Sequence, residues 1–596
     1  MTACRARSLC GAFALLVAAC AGGAFAQTTP TLLLPPPREA RPATPEAEPE
    51  KPTPAETPAL RGPAGIEIEN ARPLDTEGLG LIDAANGGLP ADAWAASNRS
   101  FAERIVRDLP APVASMPARM LAIRVLESTA AAPSGPRGAN FAALRALKLR
   151  QLGDIARAAD LAGRIPQRTS DENLLRILID EAWLSGADER ACGLVREAIG
   201  LSKNPDFQKA LMFCQALAGD ATRAQLGLAM LRDQGVPEDA AFVTLLFAVG
   251  GDGKGVKVEG LRGASPLTLA MLRAAKVPPP AELAGASDPA LLAGLAKGDV
   301  GAPELRLAAA ERAEAFGAID AETLAALYAS VELTPAQLGD AAAFARQDGG
   351  PKGRAALFKA AQAAATPADR LAALQRLWQF GRERGGYATL ARVGTTLLAG
   401  IPAGPEFVAY SGDVARALLM AGREDDALGW MRFARAAMAA GDAKAEATAA
   451  GFWMLASLGG LAWDGVRDPG RLEAWRKSIE TADARTAPAR AALATTLLAG
   501  LGMLPPGGSI VATTPAAFER LSVPMPSPVL WTGLHEAAVA GRPAEAALLA
   551  VHILGIEGAA GASPYAMLAV LDGLRAVGFE QAARRLALEA AIAAGL

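Results

Sequence analysis

Histidine is almost missing from this chain of 596 residues: His535 and His552 are the only two. Neither has a His, Cys or carboxylate partner at metal-ligand spacing, so no metal site is expected and each reads as a surface or packing residue. An excess of one charge is missing too, with 59 Lys and Arg against 62 Asp and Glu and a formal net charge of −3. No basic surplus is available to release counterions from a phosphate backbone, which argues against nucleic acid as a partner. Catalytic signatures are absent as well. The chain has no Gly-x-Ser-x-Gly elbow and no His-Glu-x-x-His helix. The glycine-rich Gly250-Gly251-Asp252-Gly253-Lys254-Gly255 follows a helix rather than a strand and lacks Ser or Thr after Lys254, so it reads as a loop and not a phosphate cradle. No catalytic residue, cofactor or metal ligand is therefore assigned.

Aromatic residues make up only 5% of the chain, while 51% of it is hydrophobic and 20% charged. That balance supports a packed core and excludes a wholly disordered protein. Alanine is the commonest residue; it has the best helix propensity and lets helices approach closely, so an all-α fold is expected. Trp378, Trp430, Trp453, Trp463 and Trp475 fall within helical patterns. Core packing is their expected role, with a cluster lining a groove as the alternative.

The N-terminus reads as an export signal. Arg5 and Arg7 precede an apolar run from Leu9 to Ala19, too short for a stable span, and Ala24-Phe25-Ala26 forms a cleavage pattern before Gln27. A second reading stays open. Val17-Ala18-Ala19-Cys20 resembles the box that directs lipidation of bacterial lipoproteins, which would make Cys20 the first mature residue and anchor the chain to a membrane. The small-residue stretch from Ala21 to Ala26 argues for simple cleavage. Either way the expected compartment is periplasmic or extracellular. Residues 27–64 are rich in Pro, Glu, Ala and Thr and read as a solvated linker, reaching on the order of 100 Å if extended.

Three of the five cysteines lie in the signal, which leaves Cys192 and Cys214 for the body. An even pair in an oxidising compartment suggests a disulfide, with two free buried thiols as the alternative.

The organising feature lies between Phe141 and Val236. There an apolar helix, a Gly turn and an Ala five residues on, opening a second helix, recur as Gly153…Ala158, Gly186…Ala191 and Gly219…Ala224, with glycines 33 residues apart. A fixed period in this range marks stacked helical hairpins, none of which can bury its own apolar face alone. In this phasing Cys192 begins the second helix of one unit and Cys214 lies in the first helix of the next, so a bridge between them is geometrically reasonable. The pattern returns as Gly350…Ala355, Gly386…Ala391 and Gly422…Ala427, 36 apart, and as Gly541…Ala546 and Gly578…Ala583 near the end. Residues 65–250, 251–503 and 504–596 are thus read as three blocks of repeats, the last entered through a Pro-rich break from Leu504 to Ser527. Locally, Ile66-Glu67-Ile68 reads as extended, Ala91 to Leu109 and Pro117 to Leu126 as helices, and Ser170 as the N-cap of a helix over 171–185.

The helix-Gly-x4-Ala-helix unit, with Leu178 and Ala191 in one copy and Leu211, Ala224 and Pro237 in the next, resembles a degenerate tetratricopeptide repeat. Ile179 and Met212 stand where that repeat keeps a small residue. Gly80-Leu81-Ile82-Asp83, the helix from Gln208 to Gly219 and the ending Leu574-Arg575-Ala576-Val577-Gly578 also resemble a group of exported, Ala-rich alphaproteobacterial proteins, some bearing an antifreeze label that composition accounts for. The resemblance implies an α-solenoid and carries no catalytic motif across. Exported solenoids also occur fused to lytic transglycosylase domains, but Glu127-Ser128 closes a short helix without the flanking groove residues of that site. The expected role is a non-enzymatic scaffold that binds envelope proteins. The alternatives are a cell-wall or polysaccharide-active enzyme and a glycan-binding protein, with the repeats as a clamp.

Overall fold

A computed structural model describes residues 76–596 apart from 137, 167–170, 259, 260, 262, 300, 442, 464–467, 505–524 and 526. The expected signal with Cys20, Ala26 and Gln27, the linker, Ile66–Ile68, Ser170 and most of the Pro-rich break lie outside these residues. The described residues belong to one unit that starts at Arg72.

Among them every regular element is a helix, and the only β pairings are isolated bridges at Ile82–Ser128 and Asn98–Ser134. The first part holds α1 (Arg99–Arg107), α2 (Met116–Glu127), α3 (Phe141–Gln151), α4 (Ile155–Arg164), α5 (Glu172–Leu184), α6 (Asp188–Ile199), α7 (Pro205–Leu217), α8 (Ala221–Asp233) and α9 (Ala240–Ala248). The middle holds α10 (Pro266–Ala274), α11 (Pro289–Lys297), α12 (Pro303–Ala315), α13 (Ala321–Ser330), α14 (Pro335–Gly339), α15 (Ala341–Asp348), α16 (Pro351–Gln362), α17 (Pro367–Arg384), α18 (Tyr387–Thr395) and α19 (Ser411–Met420). The rest are α20 (Glu424–Ala439), α21 (Ala443–Gly459), α22 (Pro469–Ala482), α23 (Ala487–Gly500), α24 (Pro528–Val539), α25 (Pro543–Leu554), α26 (Pro564–Ala576) and α27 (Glu580–Ala593).

Punctuation explains where these helices begin and end. Ser115, Asn140, Asp154, Asp220 and Asp239 each accept a backbone N–H of the first turn, and proline opens α7, α10, α11 and α16, where its missing N–H is no loss. For α5 the cap is Asp171, which accepts from Asn173 and Leu174. The helix expected over Ala91–Leu109 forms only from Arg99. Before it, the chain makes turns, and Asn98 supplies the cap by accepting from Phe101 N–H.

The Gly-x4-Ala units obey one rule. Gly153, Gly186 and Gly219 take φ of 98°, 75° and 80°, the left-handed turn that glycine adopts without a Cβ penalty. Ala158, Ala191 and Ala224 are buried where the second helix returns against the first, as are Ala355, Ala391, Ala427, Ala546 and Ala583 in the later copies. One copy is shifted. The left-handed residue is Gly349, at φ 64°, and Gly350 is the N-cap of α16. The bulky Met212 is accommodated from the other side, because a Cβ on Gly227 of α8 would stand 2.6 Å from its Cγ. The small residue has moved to the partner helix.

Helices adjacent in sequence pack on one another from α3 to α8, and one continuous apolar core runs through the described residues. The contacts also close a circuit. Helix α2 packs on α3, α3 on α11, α11 on α12, α12 on α18, α18 on α19, α19 on α27, and α27 back on α2. At that seam Ala114 N–H donates to Ile556 O at 2.9 Å, and a ring nitrogen of His552 bonds Ile105 O at 2.8 Å.

Candidate functional site

Two concave regions stand out. One is a groove on the first helices of the repeats, and the other is a cavity at the seam of the circuit.

The groove is built from α5, α7, α8, α9 and α10. Its two hollows, of about 300 and 290 Å3, share Lys209, Asp239 and Phe242. A cation on one first helix reaches an acid at the next: Arg150 Nε donates to Asp180 at 2.8 Å, Arg176 Nη2 to Asp206 at 3.0 Å and Lys209 Nζ to Asp239 at 2.9 Å. The same cations cover aromatic faces, Arg176 over Phe207 at 5.6 Å and Lys209 over Phe242 at 5.3 Å. Burial alone would raise the Asp239 carboxyl, but the Lys209 bond and the α9 N-terminus hold it below the usual range. Asp180 is buried more deeply, and desolvation lifts it despite Arg150. Phe247 lines one hollow and is 57% exposed, and Leu226 and Met230 on α8 are exposed by 62% and 53%. Cys192 on α6 and Cys214 on α7 stand at bonding distance as a disulfide, with Cα atoms 5.7 Å apart, and tie this hairpin to its neighbour.

The cavity measures about 550 Å3 and lies between α2, α18, α19 and α27. Met116, Met120, Leu121, Leu419, Met420 and Leu588 supply much of its wall. Three charged side chains that line it are buried, Glu127 and Arg392 at 8% and Glu589 at 7% exposed. Arg392 forks onto Glu314 of α12, Nε to Oε1 at 2.5 Å and Nη2 to Oε2 at 2.8 Å. Burial opposes its charge, yet Glu314 more than offsets this and raises the guanidinium. Arg119 of α2 lies behind, donating to Val113 O at 2.9 Å and Ala315 O at 3.1 Å. Burial brings it down to about 10, so it stays charged at neutral pH. Glu589 accepts the Ser115 hydroxyl, and burial pushes its carboxyl up to about 7 against that bond and the pull of Arg392 and Arg119. Glu127, also on the wall, is raised by burial and held by Arg157 at 2.9 Å.

Sequence reasoning missed this constellation. Ser115 and Glu589 are 474 residues apart, so no spacing rule joins them. Glu127, set aside with Ser128 as a catalytic pair, does face the cavity, while the Ser128 hydroxyl donates to Arg124 O and accepts Leu89 N–H. The tryptophans form no groove: Trp378, Trp430, Trp453, Trp463 and Trp475 are all buried. His535 is exposed, His552 packs at the seam, and no cluster of three or more potential metal ligands occurs among the described residues. Lys254 is exposed in its loop and pairs with Asp252 at 3.5 Å. Among the described residues no helix is long and apolar enough to cross a membrane. No protein-family model and no curated protein matches the chain.

Proposed function

We propose that this chain is an exported, non-enzymatic α-solenoid of tetratricopeptide-like hairpins that binds protein partners in the bacterial cell envelope. The observation that carries the reading is the repeated ladder of the groove. Arg176–Asp206 and Lys209–Asp239 are equivalent pairs one repeat apart, each set beside a phenylalanine. Such a surface offers alternating charge along an open hollow, with Leu226, Met230 and Phe247 free to bury apolar area, and fits an extended or helical segment of another protein. The mature chain would begin at Gln27 and work in the periplasm or outside the cell, or be held to a membrane if Cys20 is lipidated.

The rival enzyme reading draws on Glu127 and Glu589, which line one cavity. A saccharide there would need partners for its many hydroxyls, but most of the wall is apolar, and Arg124, Glu127 and Arg585 are already engaged with Gly87 O, Arg157 and Glu424. A glycan-binding role loses its basis with the tryptophans in the core.

In-cell crosslinking of a C-terminally tagged copy, read by mass spectrometry, tests the scaffold. A recurrent envelope protein is expected with the wild type and with a control substitution at Lys254, and its loss with Lys209→Glu plus Phe247→Ser. Capture unaffected by the groove variant would overturn the assignment. The mass of the mature N-terminus in the same sample distinguishes Gln27 from an acylated Cys20.

A further inference from the structure

The seam cavity is unlike the groove. It is a single hollow of about 550 Å3, within the range of roughly 300–1,000 Å3 usual for small-molecule sites. Its walls are aliphatic and rich in methionine, whose unbranched thioether adapts to a flexible occupant. Phe579, an aromatic on the wall, has its ring covered by Arg124 at 5.6 Å.

Of the charged side chains on the wall, Arg124 donates to Gly87 O, Glu127 pairs with Arg157 and Arg585 with Glu424, which leaves Arg392 and Glu589. Arg392 gives Nε and Nη2 to Glu314, which leaves Nη1 without an acceptor among the described residues. Glu589 uses one oxygen for Ser115 and leaves the other unbonded among them. Arg119 lies behind Arg392, and the Glu314 carboxylate pairs with Arg392. Glu589 adds a further negative charge beside the two guanidinium groups when it ionises, and burial opposes that. Arg392 Nη1 is thus a free donor on the wall.

We propose that this cavity binds an aliphatic carboxylate, a chain of methylene groups held by the methionine and leucine walls with its headgroup on Arg392 Nη1. The Glu589 carboxyl, when protonated, donates the second hydrogen bond to the same headgroup. A cationic amphiphile is disfavoured by the guanidinium pair, and a neutral alcohol forgoes the charge-assisted bond. The site is independent of the groove, so failure to capture a protein partner would not bear on it.

The test uses the full mature chain, stripped of co-purified lipid and titrated calorimetrically at pH 6 with decanoate, decanol and decyltrimethylammonium. Decanoate is expected to bind one to one, with the other two about tenfold weaker or worse. Met120 is 43% exposed and lines the cavity, so Met120→Trp fills the hollow with little risk to folding and is expected to abolish the decanoate heat. Absence of decanoate binding, equal binding of the alcohol or the cation, or unchanged binding by Met120→Trp would each overturn the proposal.

Discussion

At the residue scale the most consequential group is Glu589. Ser115 and Arg119 face it from α2 and Arg392 from α18, with Glu314 of α12 behind Arg392. Its carboxyl titrates near 7 in the folded chain, against an ordinary value of 4.5. Between those values the folded state holds more protons than the unfolded state, so stability falls as pH rises from about 4.5 to 7 and the loss is complete above 7. Glu589→Gln keeps an acceptor for Ser115 and removes the titration. It should stabilise the protein at pH 8 by on the order of 2–3 kcal/mol and have little effect at pH 4.5. Urea unfolding at the two pH values checks this, and an equal effect at both would show that Glu589 is solvated. Gly227 offers a second test. A Cβ there meets buried Met212, so Gly227→Ala should destabilise by about 1 kcal/mol through overpacking. In a Met212→Ala background the clash is gone and helix propensity takes over, so the sign should reverse by about 1 kcal/mol.

At the element scale much was legible in the sequence. A turn that needs φ above zero selects Gly, and a close helix crossing selects Ala, so Gly186 and Ala191 announce their hairpin without reference to the rest of the chain. Rules of that kind act over five residues and survive repetition, and for the same reason Cys192 and Cys214 could be placed on neighbouring helices. The failures were local competitions. The apolar pattern of Trp94, Phe101, Ile105 and Val106 suggested a helix from Ala91, but Asn98 stops the preceding turns and opens α1 with its side chain. At Gly349-Gly350 two glycines competed for one left-handed position, and the one closing α15 took it. The disulfide gives this scale its prediction. With the cysteines at a sequence separation of 22, Cys192→Ala plus Cys214→Ala should cost about 3 kcal/mol, by loop entropy. Hydrogen exchange should locate the loss in α6, α7 and α8, while α26 and α27 keep their protection. Uniform loss across the chain would mean that the hairpins unfold only with the whole.

At the scale of the whole molecule the decisive contacts were invisible. Nothing in the repeat pattern says that α27 returns to α2, because the residues that join there are separated by most of the chain and share no motif. The cavity shares that origin, since it is made of side chains brought together by closure alone. Closure also means that a buried ion pair on the circuit cannot fail privately. Glu314 bonds Arg392 at the junction of α12 and α18, both largely out of water. Glu314→Gln leaves the guanidinium without its counter-ion and should cost about 3–5 kcal/mol. Replacing both residues with methionine removes the stranded charge, so the double variant should be more stable than the single one. If the circuit behaves as one cooperative body, the single variant should speed amide exchange in α2, α18 and α27 together and leave α6 to α8 unchanged. Acceleration confined to α12 and α18 would show instead that the helices of the seam open independently, and that the cavity between them is held by each wall on its own.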